Sequence, residues 1–508
     1  MSCGPSRLAL PKPGALAAVV ALACLAACST TFHAMTCTSD DECGSDLVCT
    51  QRSGQTACVP PADDPLRIGM SAPLTGPSQE LGVEMKKGIT LAFDAQNAAG
   101  GIRGRKLELE LRDDQSQPES AEAAARNLLD VVAPASAPAR CPTTTSSVVA
   151  GDAPVSVGAL TRGPNAVLAL VGSVGTPTMV RSAPIAVETG SLFFGAFTGA
   201  TKVLRDDLSG PCRKYIFNVR ASYAHEARAT LEHFRKLRVP DARHLVSFDQ
   251  DDSFGQAGYD GLVDAVTAID GAPATPIQRF RYSRDDQASV PAQVQATAAY
   301  LAKLLAEPGD HVVGIMMTDT YGPATSYIRG LRDWQYAAGA EQVDTQKGTR
   351  LTLLLSNLSF VGPNSLAQRL VEAGTAQTPD GPKPYTDGVF VSQVVPNYES
   401  DDSDGVRDYR RALAAAALDP SFTSLEGYLA ARVFVAGLAA HAGAFTPDAL
   451  VATFERLPHL NLGLGASSGF THARHDYSKT VFGTAITARG GFSNTYVWSE
   501  GSAIQLFE

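Results

Sequence analysis

Residues Ile68–Asp114 read IGMSAPLTGPSQELGVEMKKGITLAFDAQNAAGGIRGRKLELELRDD, and the order of their patterns decides the fold class. The apolar run Leu66–Ser71 predicts a short buried strand at the start of this stretch. Apolar residues at helical spacing then predict a helix over Gly82–Asn97, which a pair of glycines ends. The alternating segment Lys106–Leu111 predicts a second strand. The stretch therefore predicts a strand, a helix and a strand.

The same alternation continues along the chain. Further elements are predicted as helix Pro118–Val132, strands Val167–Val171 and Ser191–Ala196, helix His225–Leu237, strand His244–Phe248 and helix Tyr259–Ile269. Strands that alternate with helices indicate an α/β fold, with parallel sheets that helices cover on both faces. Residues 133–164 are rich in Ala, Pro, Ser and Thr without any period, which predicts a surface insertion.

The stretch Ala169–Thr178, ALVGSVGTPT, begins as a buried strand and ends in small hydroxyl residues. Pro177 lies where a helix could begin, since proline is favoured at the first positions of a helix. The free N–H groups of such a helix start attract anions. A tight turn that binds nothing has the same pattern, so this stretch alone leaves an anion site and a plain turn as alternatives.

The composition excludes several classes of function. The chain has 508 residues, 19% charged residues and a net charge of −10, which is typical of a globular protein and provides no basic face for nucleic acid. No HExxH, Walker or GxGxxG motif is present. Ser467 in GASSG lacks the strand and helix that a nucleophile elbow needs, and His472 and His475 lie in a polar, loop-like segment. We therefore expect no catalytic residue, no metal and no cofactor.

The N-terminus has the features of an export signal. Arg7 and Lys12 precede an apolar run, Ala15–Ala27, that is too short to span a bilayer. The run ends in LAAC, Leu25–Cys28, which resembles the lipobox of bacterial lipoproteins. That resemblance implies cleavage before Cys28 and lipidation of its sulfur; an ordinary secretory signal with a chance cysteine is the alternative. Ser29 at the next position resembles the pattern that is sorted to the outer membrane.

The cysteines agree with an exported protein. Cys37, Cys43, Cys49 and Cys58 lie within one short segment, and in an oxidising compartment they predict two disulfides whose pairing stays open. A zinc site is the competing interpretation, but CxxC pairs are absent. Cys141 and Cys212 could form a third bridge.

Several segments together resemble the type I periplasmic solute-binding proteins, in particular the branched-chain amino acid (Leu/Ile/Val) receptors of ABC importers. They follow one another from Ile68–Asp114 through LVGSVGTPT, FFGAFTGATKVLR (Phe193–Arg205), FNVRASYAHE (Phe217–Glu226) and FDQDDSFGQAGYDG to EGYLAARVFVAGL. The resemblance implies two Rossmann-like lobes with parallel sheets, joined by three crossing strands, with a ligand in the cleft between them.

The resemblance also implies a domain organisation. The expected parts are a lipoprotein signal peptide at 1–27, a Cys-rich segment and linker at 28–64, a first lobe at 65–212 and 397–466, and a second lobe at 213–396 and 467–508.

Carried over by motif, the resemblance implies seven ligand-binding residues. Gly175 and Thr176 match the family's first-lobe loop that holds a ligand carboxylate, and Ala196 and Thr198 match the second loop of that lobe. Three aromatic residues match cleft positions of the second lobe, with core packing as the alternative for each: Tyr223, Phe254 and Tyr321.

One departure concerns Leu353–Gly362, LLLSNLSFVG, where amino acid receptors carry a glutamate for the ligand ammonium. This chain has serine and asparagine there, and an ammonium group in a closed cleft needs a charged partner. Asp319, Asp251 or Glu226 could supply one.

The resemblance implies a lipid-anchored solute-binding protein on the periplasmic side of the cell envelope. It would deliver a small polar ligand, such as an amino acid, an amide or a related carboxylate, to an ABC permease. The alternative is a sensory lipoprotein that signals to a membrane kinase without transport, because one fold serves both functions.

We predict that Cys28→Ala releases the protein from the membrane fraction, because the acyl chains on this sulfur would form the anchor. Fractionation after salt and carbonate washes, with Cys24→Ala as the matched control, measures the effect. A Cys28→Ala protein that stays in the washed membranes would place the anchor elsewhere.

Overall fold

The computed structural model describes residues 36–38, 42–43, 47–52, 55–132, 141, 157–201, 204, 210–237, 244–271, 277–284, 286–337, 349–378 and 381–507. The predicted signal peptide, Cys28 and most of the insertion at 133–164 lie outside these residues. The chain divides into two units at Pro60. In the described part of the chain, no helix combines the length and the apolar character that a membrane span requires.

The small unit is built on a hairpin with two disulfides. Strands β1 (Val48–Arg52) and β2 (Gln55–Val59) pair antiparallel, with Cys49 opposite Cys58. Each of these two cysteines bonds to a different cysteine that precedes the hairpin, in the pairs Cys37–Cys49 and Cys43–Cys58. The prediction of two local disulfides is confirmed, and the structure supplies the pairing.

The first lobe of the large unit contains a parallel five-stranded sheet in the order β4-β3-β5-β6-β7. Its strands are β3 (Leu66–Ala72), β4 (Leu107–Asp113), β5 (Ala169–Val171), β6 (Leu192–Phe194) and β7 (Ile216–Phe217). The connecting helices are α1 (Gln79–Ala98), α2 (Pro118–Leu128) and α3 (Thr176–Glu188). The parallel α/β arrangement that the alternation predicted is confirmed here.

The second lobe contains an eight-stranded sheet in the order β17-β16-β15-β14-β11-β10-β8-β9. Its strands are β8 (His244–Gln250), β9 (Gln278–Tyr282), β10 (Gly309–Thr318), β11 (Thr349–Asn357), β14 (Val389–Gln393), β15 (Thr480–Ile486), β16 (Phe492–Ser499) and β17 (Gln505–Leu506). Strands β9, β8, β10, β11 and β14 are parallel, whereas β15, β16 and β17 join antiparallel. This sheet is therefore mixed, which the predicted parallel order did not include.

The described residues of the second lobe form the helices α4 (Tyr223–Leu237), α5 (Ser253–Asp270), α6 (Val290–Leu305), α7 (Tyr321–Ala337) and α8 (Pro363–Ala373). A small hairpin of β12 (Thr375–Thr378) and β13 (Gly381–Pro384) follows α8.

Three later helices return to the first lobe: α9 (Asp404–Ala416), α10 (Phe422–Ala440) and α11 (Pro447–Phe454). Helix α10 packs against α1 at a pair of glycines. A Cβ atom on Gly88 would lie 1.9 Å from the carbonyl oxygen of Ser424, and one on Gly427 would lie 2.4 Å from that of Met85. Only glycine lets the two helix backbones approach this closely.

The chain passes between the lobes three times, after β7, after β14 and before β15. Two of the crossings are bonded to each other, since Asn218 N donates to His475 O and Tyr477 N donates to Asn218 O, each at 2.8 Å. Because Ile216 and Phe217 pair with β6, the first crossing follows Phe217 and not residue 212 as the sequence predicted. We retain the other lobe limits as a proposal.

A third disulfide, Cys141–Cys212, fastens the first lobe and confirms that these two cysteines come close enough to bond. The Cys141 backbone N–H also donates to the buried carboxylate of Glu188 at 2.7 Å. These contacts hold Cys141, a residue of the predicted insertion, at the C-terminal end of α3.

Candidate ligand-binding cleft

A cavity of about 130 Å³ lies between the two lobes, at the ends of strands and the starts of helices. The first lobe contributes three short segments to its wall: Pro77, Ser78 and Leu81; Gln115–Gln117; and Gly175–Thr178. The second lobe contributes Gln250, Phe254, Arg284, Gln287, Thr320, Pro323 and Phe360. The carboxyl edge of parallel strands is where α/β folds bind ligands.

The stretch ALVGSVGTPT forms the strand, turn and helix start that its pattern predicted. Strand β5 ends at Val171, Gly175 adopts φ +100° as the cap residue, and α3 begins at Thr176. A Cβ atom on Gly175 would lie 2.8 Å from the hydroxyl oxygen of Thr178, which bonds instead to the Gly175 carbonyl at 2.9 Å. This turn places Gly175 and Thr176 in the cavity wall.

The loop that follows β4 in the first lobe is held by the buried carboxyl of Asp114. Asp114 accepts hydrogen bonds from the Ser71 hydroxyl at 2.6 Å and from the Ser116 backbone N–H at 2.9 Å. Burial raises the pKa of Asp114 to about 6. Gln115 and Ser116 both have positive φ angles, 53° and 61°, which brings this loop into the cavity wall.

The structure brings three of the seven predicted site residues into the wall: Gly175, Thr176 and Phe254. Thr198 lies behind Thr176, with 2.7 Å between the two hydroxyl oxygens. Its own hydroxyl donates to the oxygen of Tyr223 at 3.3 Å. Ala196 packs in the core of the first lobe. Thr198, Tyr223 and Ala196 thus support the wall from behind and are not among its lining residues.

Tyr321 joins the two lobes instead of lining the cavity. It is buried, and its hydroxyl donates to the Pro77 carbonyl of the first lobe at 2.6 Å. Across the same cleft, the rings of Phe197 and Phe360 stack with centroids 4.9 Å apart. Both contacts bridge the lobes, so the structure shows a closed cleft.

A buried ionic cluster connects the lobes at the first crossing. Arg220 is 2% exposed, and its Nη2 lies 2.8 Å from Glu226 of α4. Its Nη1 lies 3.3 Å from Glu426 of α10 in the first lobe. Glu226 also accepts from the backbone N–H of Ser359 at 2.8 Å and the hydroxyl of Ser392 at 2.6 Å. Burial raises the pKa of Glu426 to about 7 even though Arg220 opposes the shift.

None of the three carboxylates suggested as ammonium partners lines the cavity. Glu226 is occupied in the ionic cluster, and Asp251 is paired with Arg281 at 2.6 Å. Asp319 is fully buried, where desolvation raises the pKa of its carboxyl well above the ordinary range. Sequence reasoning named these residues from their charge, and the fold directs each of them elsewhere.

The sequence analysis missed Arg284 and the glutamines of the wall. Arg284 follows β9, and its Nη1 lies 3.7 Å from a carboxylate oxygen of Asp252. Asp252 caps α5 by accepting from the N–H groups of Phe254 at 2.9 Å and Gly255 at 3.2 Å. The signal that could have found Arg284 was its position directly after a strand.

Two α/β lobes, connected by three chain crossings and with a cavity between them, define a class of proteins that close around a small solute. The chain matches the Periplasmic binding protein family over residues 65–144 and 164–491 and belongs to that family. The resemblance of the sequence to type I periplasmic solute-binding proteins is thereby confirmed. Membership supports a solute-binding protein and not an enzyme, and implies an extracytoplasmic location.

The Leu/Ile/Val-binding protein BraC3 of Rhizobium johnstonii is 41% identical over 73 residues, which cover 14% of this chain and 20% of BraC3. A possible leucine/isoleucine/valine-binding protein from Rhodopirellula baltica SH 1 has a TM-score of 0.64 and 26% identity, over 86% of this chain and 97% of that one. A fatty acid ABC transporter substrate-binding protein from Thermomonospora curvata has a TM-score of 0.61 over 87% of this chain and 94% of that one, and at 15% identity it shows the fold alone.

The raised pKa of Glu426 predicts a pH dependence of stability. Because the folded carboxyl binds its proton more tightly than the unfolded one, its contribution to the free energy of unfolding falls as the pH rises from about 4.5 to about 7. Glu426→Gln should remove this loss, which is of the order of 1–3 kcal/mol. Urea unfolding at pH 5 to 8 measures it.

The matched control is Glu122→Gln, because Glu122 is a partly exposed carboxylate paired with Arg126. It should leave the pH profile of the wild type unchanged. Parallel profiles for the wild type and Glu426→Gln would contradict the prediction.

Proposed function

We propose that this chain is a lipid-anchored, extracytoplasmic solute-binding protein that delivers a small polar ligand to an ABC importer. The observation that carries the proposal is the closed cavity between two lobes that a three-stranded crossing connects. Membership of the Periplasmic binding protein family and similarity to Leu/Ile/Val-binding proteins support the solute-binding role. The lipobox-like LAAC sequence supports the anchor.

The lobes open and close by bending at the crossings. Closure forms the Tyr321–Pro77 hydrogen bond and the Phe197–Phe360 stack, and these contacts must break when the lobes separate. A ligand that contacts both lobes favours the closed form, since only that form offers all of its contacts. A permease that recognises the closed form then receives loaded protein.

The first lobe anchors an acidic group of the ligand. Thr176 and the backbone N–H groups after Gly175 supply donors at the start of α3, where the helix dipole favours negative charge. Phe254 and Phe360 supply an apolar surface from the second lobe, with their ring centroids 4.7 Å apart. The site therefore suits a small molecule with one acidic and one apolar end.

Transport is tested by deleting the gene and measuring uptake of the compound that stabilises the purified protein best in a thermal-shift screen. Uptake should fall, and the wild-type gene should restore it. Unchanged uptake together with a loss of ligand-dependent phosphorylation of a membrane kinase would favour the sensory alternative.

Thr176→Val should weaken binding of that compound about ten- to a hundredfold, because a hydrogen bond to a charged group contributes roughly 1.5–3 kcal/mol. Thr189→Val is the matched control, since Thr189 caps the other end of the same helix and its hydroxyl bonds to Ile185 O at 2.9 Å. Calorimetry on both variants measures the affinities. Equal affinities for Thr176→Val and the wild type would remove Thr176 from the site.

A further inference from the structure

Charge sets the cleft apart from a site built for an amino acid. Among the described residues that line the cavity, Arg284 is the only one with a charged side chain. Its guanidinium belongs to a side chain that is 18% exposed. No carboxylate belongs to the described part of this wall; Asp252, 3.7 Å from Arg284, lies behind it. A ligand ammonium would therefore face the Arg284 guanidinium and lose its hydration without a charged partner in the wall.

The backbone adds positive potential to the same cavity. Five helices begin with residues at or next to its wall, namely α1 at Gln79, α2 at Pro118, α3 at Thr176, α5 at Ser253 and α7 at Tyr321. Each contributes the positive end of its dipole. The cap residues of α1, α2 and α3 form no side-chain hydrogen bond to the helix start. Glu80 and Glu119 lie in the first turns of α1 and α2, whereas the first turn of α3 holds no acidic residue, so the start of α3 carries the least compensated positive end.

The remaining polar groups of the wall are neutral. Four glutamines face the cavity, Gln115 and Gln117 from the first lobe and Gln250 and Gln287 from the second. An amide both donates and accepts, so it suits hydroxyl or carbonyl groups of a ligand. Gln250 is already held by Asp252 and by Tyr282, whose hydroxyl donates to its Oε1 at 3.0 Å, which fixes its orientation.

From these observations we infer that the ligand is a small carboxylate without an amino group, bound by Arg284 from the second lobe and by the helix starts of the first. The inference rests on the proposed function and narrows its ligand to a chemical class. Arg284 is then a specificity-determining residue, because it favours an acid over a neutral amide as well as over an ammonium compound.

The experiment compares ligands of equal shape and different charge on the full chain. The probes are L-leucine, 2-hydroxy-4-methylpentanoate, 4-methylpentanoate and the neutral amide of 4-methylpentanoate, with the same series built on phenylalanine. Calorimetry should give at least tenfold tighter binding for a hydroxy acid or plain acid than for the matching amino acid and amide.

Substitutions of Arg284 test whether its charge binds the acid. Arg284→Gln should weaken binding of the best acid about ten- to a hundredfold, and Arg284→Lys should weaken it less, because lysine keeps the charge and loses the bidentate geometry. Arg281→Gln is the matched control, since Arg281 lies on β9, is half exposed and is paired with Asp251. It should bind the acid as the wild type does.

The outcomes separate this inference from the proposed function. Tighter binding of an amino acid or an amide than of its acid would overturn the inference and leave a solute-binding protein. Unchanged acid binding in Arg284→Gln would also overturn it. If none of the probes and none of the twenty amino acids binds, both the inference and the proposed function fail.

Discussion

Arg220 is a full positive charge buried at the point where the chain first crosses between the lobes. Removing a guanidinium from water costs several kcal/mol, and excellent geometry is needed to offset that cost. Glu226 of the second lobe and Glu426 of the first both contribute to the compensation. The position of one lobe against the other is thereby coupled to the solvation of a single ion. A separation of the lobes that moves Glu426 away from Arg220 would therefore cost the compensation that this carboxylate provides.

The cluster also explains why Glu226 cannot serve a ligand in this closed form. Its two oxygens accept from Arg220, Ser359 and Ser392. Because protein donors already occupy the lone pairs of both oxygens, the Glu226 carboxylate has none left to accept a hydrogen bond from a ligand. Phe197 and Tyr223 lie beside the Arg220 guanidinium, with ring centroids 5.3 and 5.5 Å away, so aromatic rings also border the cluster.

The sequence predicted those features that depend on local pattern. The alternation of β3, α1 and β4 follows from apolar periodicity, and the turn at Gly175 follows from a glycine before a threonine and a proline. The antiparallel strands β15 to β17 could not be predicted in the same way, because pairing direction depends on where a distant segment returns to the sheet. The disulfide pairing was open for the same reason.

The site was predicted less completely than the fold, and the predicted residues that do not line the cavity were misplaced for one reason. Thr198, Tyr223 and Tyr321 lie in the right motifs, but a motif does not specify whether a side chain forms the wall or supports it from behind. Tyr321 shows the difference, since its hydroxyl reaches the carbonyl of a residue 244 positions earlier in the chain. Arg284 lies in none of the motifs, its sequence signal is no more than its position after a strand, and the folded second lobe brings it to the cavity.

The charge of the cavity and the closure of the lobes act on the same equilibrium. In the closed form Arg284 is mostly removed from water, with the carboxylate of Asp252 3.7 Å away. An empty closed cleft therefore retains a partly compensated charge together with the start of α3, which has neither a side-chain cap nor an acidic residue in its first turn. An anion relieves both costs only when the lobes are closed, so its binding energy is directed to the closed form. To move an equilibrium from 1:99 to 99:1, a ligand must favour one form by about 5.5 kcal/mol. About two to four charge-assisted hydrogen bonds, at roughly 1.5–3 kcal/mol each, supply that difference, which a neutral ligand in the same cavity would lack.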